Sequence, residues 1–134
     1  MDFSSVNWLA IIVCVVVAMV SGFVWYHPKL FFPAWWAGIG KSGETGDPNP
    51  VIWVFTILAA FVQALAISFM LDALGRTTAA SGAAFAFMLW FGFVAPTNLV
   101  NKLFASHGFK VWAIEAGNHL VNFLLFGAIL GAWQ

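Results

Sequence analysis

Glu115, Asn118, His119 and Asn122 are spaced at i, i+3, i+4 and i+7. On a helix of 3.6 residues per turn this puts a carboxylate, an imidazole and two carboxamides within an arc of about 100°. Such a stripe can both donate and accept hydrogen bonds, and a carboxylate one turn from an imidazole lets each tune the other's protonation. Thr97, Asn98 and Asn101 lie upstream, and Trp25 and Tyr26 end an earlier apolar run beside His27. Together these residues form a candidate ligand-binding set, with Glu115 and His119 as polar anchors and Trp25 and Tyr26 at its mouth. The competing reading is that the Asn and His side chains only glue helices together, a contribution averaging about 0.6 kcal/mol. Glu115 would then reach the interface near Lys110.

Other chemistries find less support. Ser21, Ser68 and Ser81 have no adjacent histidine and acid, and no G-x-S-x-G turn is present, so no catalytic residues are expected. The single cysteine, Cys14, excludes an internal disulfide and a cysteine-based zinc site. Glu115 and His119 with His27 or His107 lack tight multi-histidine spacing, so neither a metal nor another cofactor is expected.

The elements that position these residues follow from composition. Of 134 residues, 63% are apolar and only 7% charged, with five Lys+Arg against five Asp+Glu. About 25% charged residues is usual for a soluble domain, so this chain belongs in a membrane. Zero net charge without a basic run excludes nucleic acid as a partner. A span needs roughly 20 apolar residues, and four stretches qualify, about 8–26, 51–71, 79–99 and 111–133. The fold class is therefore all-α, one transmembrane four-helix bundle covering residues 1–134. The first span has Asp2 rather than lysine before it and no small-x-small site after it, which argues against a cleaved signal.

The loops suggest an orientation. Lys29, Lys41, Lys102 and Lys110 fall in the first and third loops, against Arg76 alone in the second. The positive-inside bias puts the first and third loops in the cytoplasm and both termini outside. Residues 29–40, KLFFPAWWAGIG, are too aromatic for a solvated loop and too short to span, and are expected to lie in the interface as a segment broken at Pro33. Residues 41–50 read as a polar, turn-rich stretch whose Pro50 suits the first turn of the next helix.

Depth follows from the rise per residue. Glu115 lies roughly 6 Å inside its span and Asn122 roughly 16 Å. The opposite halves of the spans offer little beyond Gln63, Ser68 and Ser81. The pattern suggests a blind pocket open to the cytoplasm or the inner leaflet rather than a pore.

Packing and movement have their own signals. Pro96 clashes with the carbonyl of Gly92 and predicts a kink there, a hinge if it moves. Ala10, Cys14, Ala18 and Gly22 form a small-residue ridge, and Gly127 with Gly131 makes GxxxG, serving either the bundle or a second protomer. GFV precedes KLF twice, at 22–24 and 29–31 and again at 92–94 and 102–104, an echo that either duplication or shared composition would produce.

NW at 7–8, GFVWYHP at 22–28, Trp35, LWFGFVAPTNLVNKLF at 89–104 and GAILGAW at 127–133 are familiar together. The chain resembles the small bacterial membrane proteins grouped as domain-of-unknown-function family 1761 over nearly its whole length. The resemblance implies four helices and a bacterial inner-membrane location, and supplies no reaction or catalytic residue. The tract GETGDPNP is shorter and richer in proline than the resemblance leads one to expect.

Two functional expectations follow. In the first, a non-enzymatic membrane protein, self-associating, uses the polar pocket to bind and move a small polar molecule or lipid headgroup. In the second, it is a structural or accessory subunit of a membrane complex, its polar groups setting helix register and its aromatic belt docking a membrane-protein partner. A membrane-embedded enzyme ranks third, since it would need a metal or cofactor.

Overall fold

The computed structural model describes residues 2–43 and 49–133, and among these the regular elements are all helices. Residues 44–48 of the expected polar tract at 41–50 lie outside the described residues. The main helices are α1 (Trp8–Trp25), α2 (Phe32–Gly38), α3 (Pro50–Ala73), α4 (Ala79–Leu89), α5 (Ala95–Phe104) and α6 (Gly108–Ala132), with a π segment, Trp90–Val94, joining α4 to α5. Four continuous helices are long and apolar enough to cross a membrane: Trp8–Trp25, Pro50–Ala73, Ala79–Phe104 and Gly108–Ala132. The third runs past the expected Leu99, carrying Asn101 and Lys102 on helix rather than loop.

Local signals set the ends. Asn7 caps α1 by accepting from the Ala10 N–H at 3.1 Å, and its amide donates to the Trp133 carbonyl at 3.2 Å, tying the first span to the end of the last. Asn49 caps α3, accepting from the Val51 N–H at 3.0 Å, with Pro50 in the first turn as expected. Gly75 closes α3 at φ 65°, with its N–H on the Asp72 carbonyl and the Arg76 N–H on the Leu71 carbonyl. Ser106 performs the same turn after α5 at φ 62°, a conformation that usually falls to glycine.

Two prolines behave differently from expectation. Pro33 does not break the aromatic segment; it sits in the first turn of α2, where its missing N–H and fixed φ suit a helix start. At Pro96 the helix widens rather than simply kinking: the Ala95 N–H bonds to the Trp90 carbonyl five residues back, closing a π turn just before the proline ring.

α6 is the central element, packed against α1, α2, α3, α4 and α5. Its tightest partner is α4. A Cβ on Gly127 would collide with the Gly82 carbonyl and the Ala86 side chain, and one on Gly131 with the Thr78 carbonyl. GxxxG therefore serves contact within the bundle. Ala10, Cys14 and Ala18 of the α1 ridge are also buried within the chain, whereas Gly22 faces open space. The sequence echo finds no structural match: the first GFV ends a regular α-helix and the second forms part of the π segment.

Candidate functional site

α2 folds back onto the first turns of α6, close enough that a Cβ on Gly38 would strike Val111. This brings Trp35 over Glu115, and its indole N–H donates to Glu115 Oε2 at 3.0 Å. From the other side the extended α5 delivers Lys102, whose Nζ lies 3.1 Å from Glu115 Oε1. Both carboxylate oxygens are thus engaged, in a pair whose side chains are 22% and 17% exposed. A charge-assisted pair with most of its surroundings apolar holds its partners more firmly than a solvated surface pair.

Indole donors surround this end of α6. Trp25 donates to the Ile114 carbonyl at 2.8 Å, Trp90 to the Ala116 carbonyl at 2.8 Å, and Trp112, from α6 itself, to the Ala95 carbonyl at 2.9 Å. Helical carbonyls have a second lone pair, so each can accept an indole beside its backbone bond. Gly117 makes room for Trp25: a Cβ there would come within 2.9 Å of its ring. Tyr26, just past the end of α1, meets Trp35 edge-on with centroids 5.3 Å apart. Burial, and secondarily the Glu115 carboxylate, push the Tyr26 phenol above its ordinary pKa.

The rest of the expected set divides. Asn118 is buried and donates from Nδ2 to Ser21 Oγ at 2.9 Å. Asn122 is buried with its Oδ1 unpartnered. The His119 side chain is half-buried and, among the described residues, makes no hydrogen bond; Glu115 turns to Lys102 and Trp35 instead of to it. Thr97 and Asn101 are exposed and Asn98 half-buried. The structure therefore gathers Glu115, Trp25 and Tyr26 around one corner of α6, places Asn118 and Asn122 deeper, and leaves Thr97 and Asn101 on the exposed side of α5, with Asn98 on the face that carries Lys102.

Two open grooves run along α1. One, of about 390 Å³, lies against α6 between Val20, Ser21, Trp25 and Val121; the other, of about 440 Å³, lies against α3 between Val15, Val54 and Phe61. Neither is lined by Glu115, His119, Asn118 or Asn122. Among the described residues no three of His, Cys, Asp and Glu converge as a metal site would require. His27 accepts at Nδ1 from the Lys29 N–H at 3.1 Å, and His107 has a buried, unpartnered Nδ1.

Sequence reasoning missed Lys102, Trp35, Trp90, Trp112 and Ser21 as parts of this arrangement. Lys102 carried a signal, since it follows Asn98 by one turn on the same helical face. The indoles carried only number, eight tryptophans in the chain, because Trp90 and Trp112 bond backbone carbonyls that no side-chain pattern reveals and Trp35 meets Glu115 from 80 residues away.

Fold and site together define a helical membrane protein with four candidate spans and an aromatic-braced ion pair at one end. The chain belongs to the family described as Protein of unknown function (DUF1761), which it matches over residues 9–131. No curated protein and no solved structure matches it.

Proposed function

We propose that this protein is a non-enzymatic, self-associating structural or accessory subunit of the bacterial inner membrane, with its first and third loops in the cytoplasm and both termini outside. One observation carries this reading: each oxygen of Glu115 already has a donor, from Lys102 and from Trp35. A carboxylate held by both helices sets the register of α2 and α5 on α6, and with only 17% of its side chain exposed Glu115 has little surface left to offer a ligand. The indole bonds to the Ile114, Ala116 and Ala95 carbonyls act in the same sense.

A second reading, the binding of a small polar molecule or lipid headgroup, is favoured by one observation alone, the buried and unpartnered Oδ1 of Asn122. Such an oxygen is costly in a membrane interior and would welcome a donor. Glu115→Gln in lipid nanodiscs separates the two. Loss of the ion pair is expected to reduce folding stability by about 1–3 kcal/mol, with native mass spectrometry finding no small-molecule mass in wild type or variant. A retained non-protein mass that disappears in a variant of undiminished stability would overturn the structural reading.

A further inference from the structure

Gln63 is half-buried near the middle of α3 and, among the described residues, its side chain makes no hydrogen bond. Asn122, near the middle of α6, has a buried Oδ1 without a donor. Each stands well inside a helix long and apolar enough to cross a membrane, where an unmet amide is costly. Thr56, on the same helix as Gln63, has no such need, because its hydroxyl donates to the Ile52 carbonyl at 2.7 Å. The two unmet carboxamides share one depth. α3 and α6 are the second and fourth spans and run in the same direction; Gln63 is ten residues before the end of α3 at Ala73, and Asn122 ten before the end of α6 at Ala132, about 15 Å in either case.

Their helix faces agree as well. α1 meets the side of α3 that carries Val54, Leu58 and Phe61. Gln63 is about 200° around the helix from Phe61, one turn from the buried Ala60 and Ile67, on the flank left for α6. On α6, α1 takes the side of Gly117 and Val121 and α4 the side of Gly127 and Gly131; Asn122 lies between them with Phe126, and both are buried. The first half of α3 nevertheless stands off. Every residue from Pro50 to Ala59 is exposed, and the buried ones, Ala60, Ala64, Ile67 and Leu71, all belong to the second half. The open groove of about 440 Å³ separates the first half from α1, bridged near its end by Phe23 stacked on Trp53 with centroids 5.6 Å apart. Gln63 therefore sits where α3 leaves the bundle.

We propose that Gln63 and Asn122 are the two halves of a latch: when the first half of α3 swings in against α6, Gln63 Nε2 donates to Asn122 Oδ1 and Asn122 Nδ2 donates to Gln63 Oε1. The arrangement described above is the open one. A carboxamide carries two donors on nitrogen and an acceptor oxygen, so two of them satisfy each other at once. Bonds of this kind between membrane helices contribute modestly, which keeps an open and a closed arrangement both populated. The latch gives Asn122 a donor from within the chain and so removes the one observation that favours a ligand. It does not involve Glu115, and it stands apart from the ion pair on which the structural reading rests.

The test is a distance measured between two spin labels on the full chain in liposomes by double electron–electron resonance. The labels go on Ile52→Cys in α3 and Phe109→Cys at the start of α6, both exposed; the native Cys14 is buried. Two distances are expected, the shorter belonging to the closed arrangement. Gln63→Leu and Asn122→Leu are each expected to lower the closed-to-open ratio about threefold, and the double variant to lower it no further, because either substitution alone removes the pair. Both put an apolar group in place of a polar one inside a span, so the fold is expected to survive, with tryptophan fluorescence unchanged. A single distance that neither substitution moves overturns the proposal. So does an effect from one substitution alone, or two effects that add, since either would give the carboxamides separate partners. Such a result would leave Asn122 to water or a bound molecule, and the outcome of Glu115→Gln would be unaffected by it.

Discussion

At Glu115, two donors from opposite sides meet one carboxylate. Lys102 brings the charge and Trp35 a neutral N–H, so the pair both balances the anion and fixes its orientation. Tyr26 reports on this corner because it is the only tyrosine in the chain. Burial and the Glu115 carboxylate both disfavour the phenolate, burial more strongly, which raises the folded-state pKa above the unfolded value of about 10. The folded state therefore retains this contribution in full below that pH and loses it as pH climbs toward the folded pKa, because the unfolded chain ionises first. Spectrophotometric titration of the phenolate is expected to give a midpoint above the ordinary value. Glu115→Gln should lower that midpoint while leaving it raised; a wild-type midpoint at the ordinary value would show that Tyr26 is solvated.

Among the elements, α4 and α6 form the closest pair, and the closeness comes from glycine. Without lipid-driven hydrophobic attraction, membrane helices associate through tight packing, which small residues permit. Gly127→Ala would drive a methyl into the Gly82 carbonyl and the Ala86 side chain, and a backbone oxygen cannot rotate away. A loss of about 2–3 kcal/mol is expected in a reversible unfolding measurement. Gly22→Ala is the control: nothing lies within 4 Å of its Cβ position, so it is expected to be neutral or to gain about 0.5–1 kcal/mol from reduced backbone freedom. Equal gains at the two sites would mean that helix propensity, and not the close approach, governs. The π segment belongs to this scale as well. It adds a residue ahead of Pro96 and so sets the rotation at which α5 presents Lys102 to α6 and Asn101 outward.

Across the whole molecule, polar interactions concentrate at one end. The Lys102–Glu115 pair and the indole bonds to Ile114, Ala116 and Ala95 all lie near the end of the bundle where Lys29, Lys41, Lys102 and Lys110 fall. The other end is held by packing, by the Asn7 bond to Trp133 and by the capping box at Thr78. The orientation proposed above is checked with a membrane-impermeant thiol reagent on intact cells. Thr77→Cys in the second loop should be labelled from outside, and Lys41→Cys only once the cytoplasmic side is opened; the reverse pattern would invert the molecule.

Four spans, their approximate limits and the single polar stripe on the last helix could all be read from residue types, because hydropathy and helical period depend on neighbours in the chain. Asn49 and Pro50 announced the start of α3 for the same reason. Pairings could not be read this way. Glu115 seemed matched to His119, four residues on, but took Trp35 from 80 residues away; Trp25 found the Ile114 carbonyl across 89 residues, and Asn118 found Ser21 across 97. GxxxG at Gly127 and Gly131 was equally suited to a partner copy and to α4, and Pro33 equally suited to breaking a segment and to starting one. Each of these was settled by which helices lie side by side, since a hydrogen bond or a backbone contact selects the group within about 3 Å of it in space, and a periodic pattern carries no information about what stands opposite.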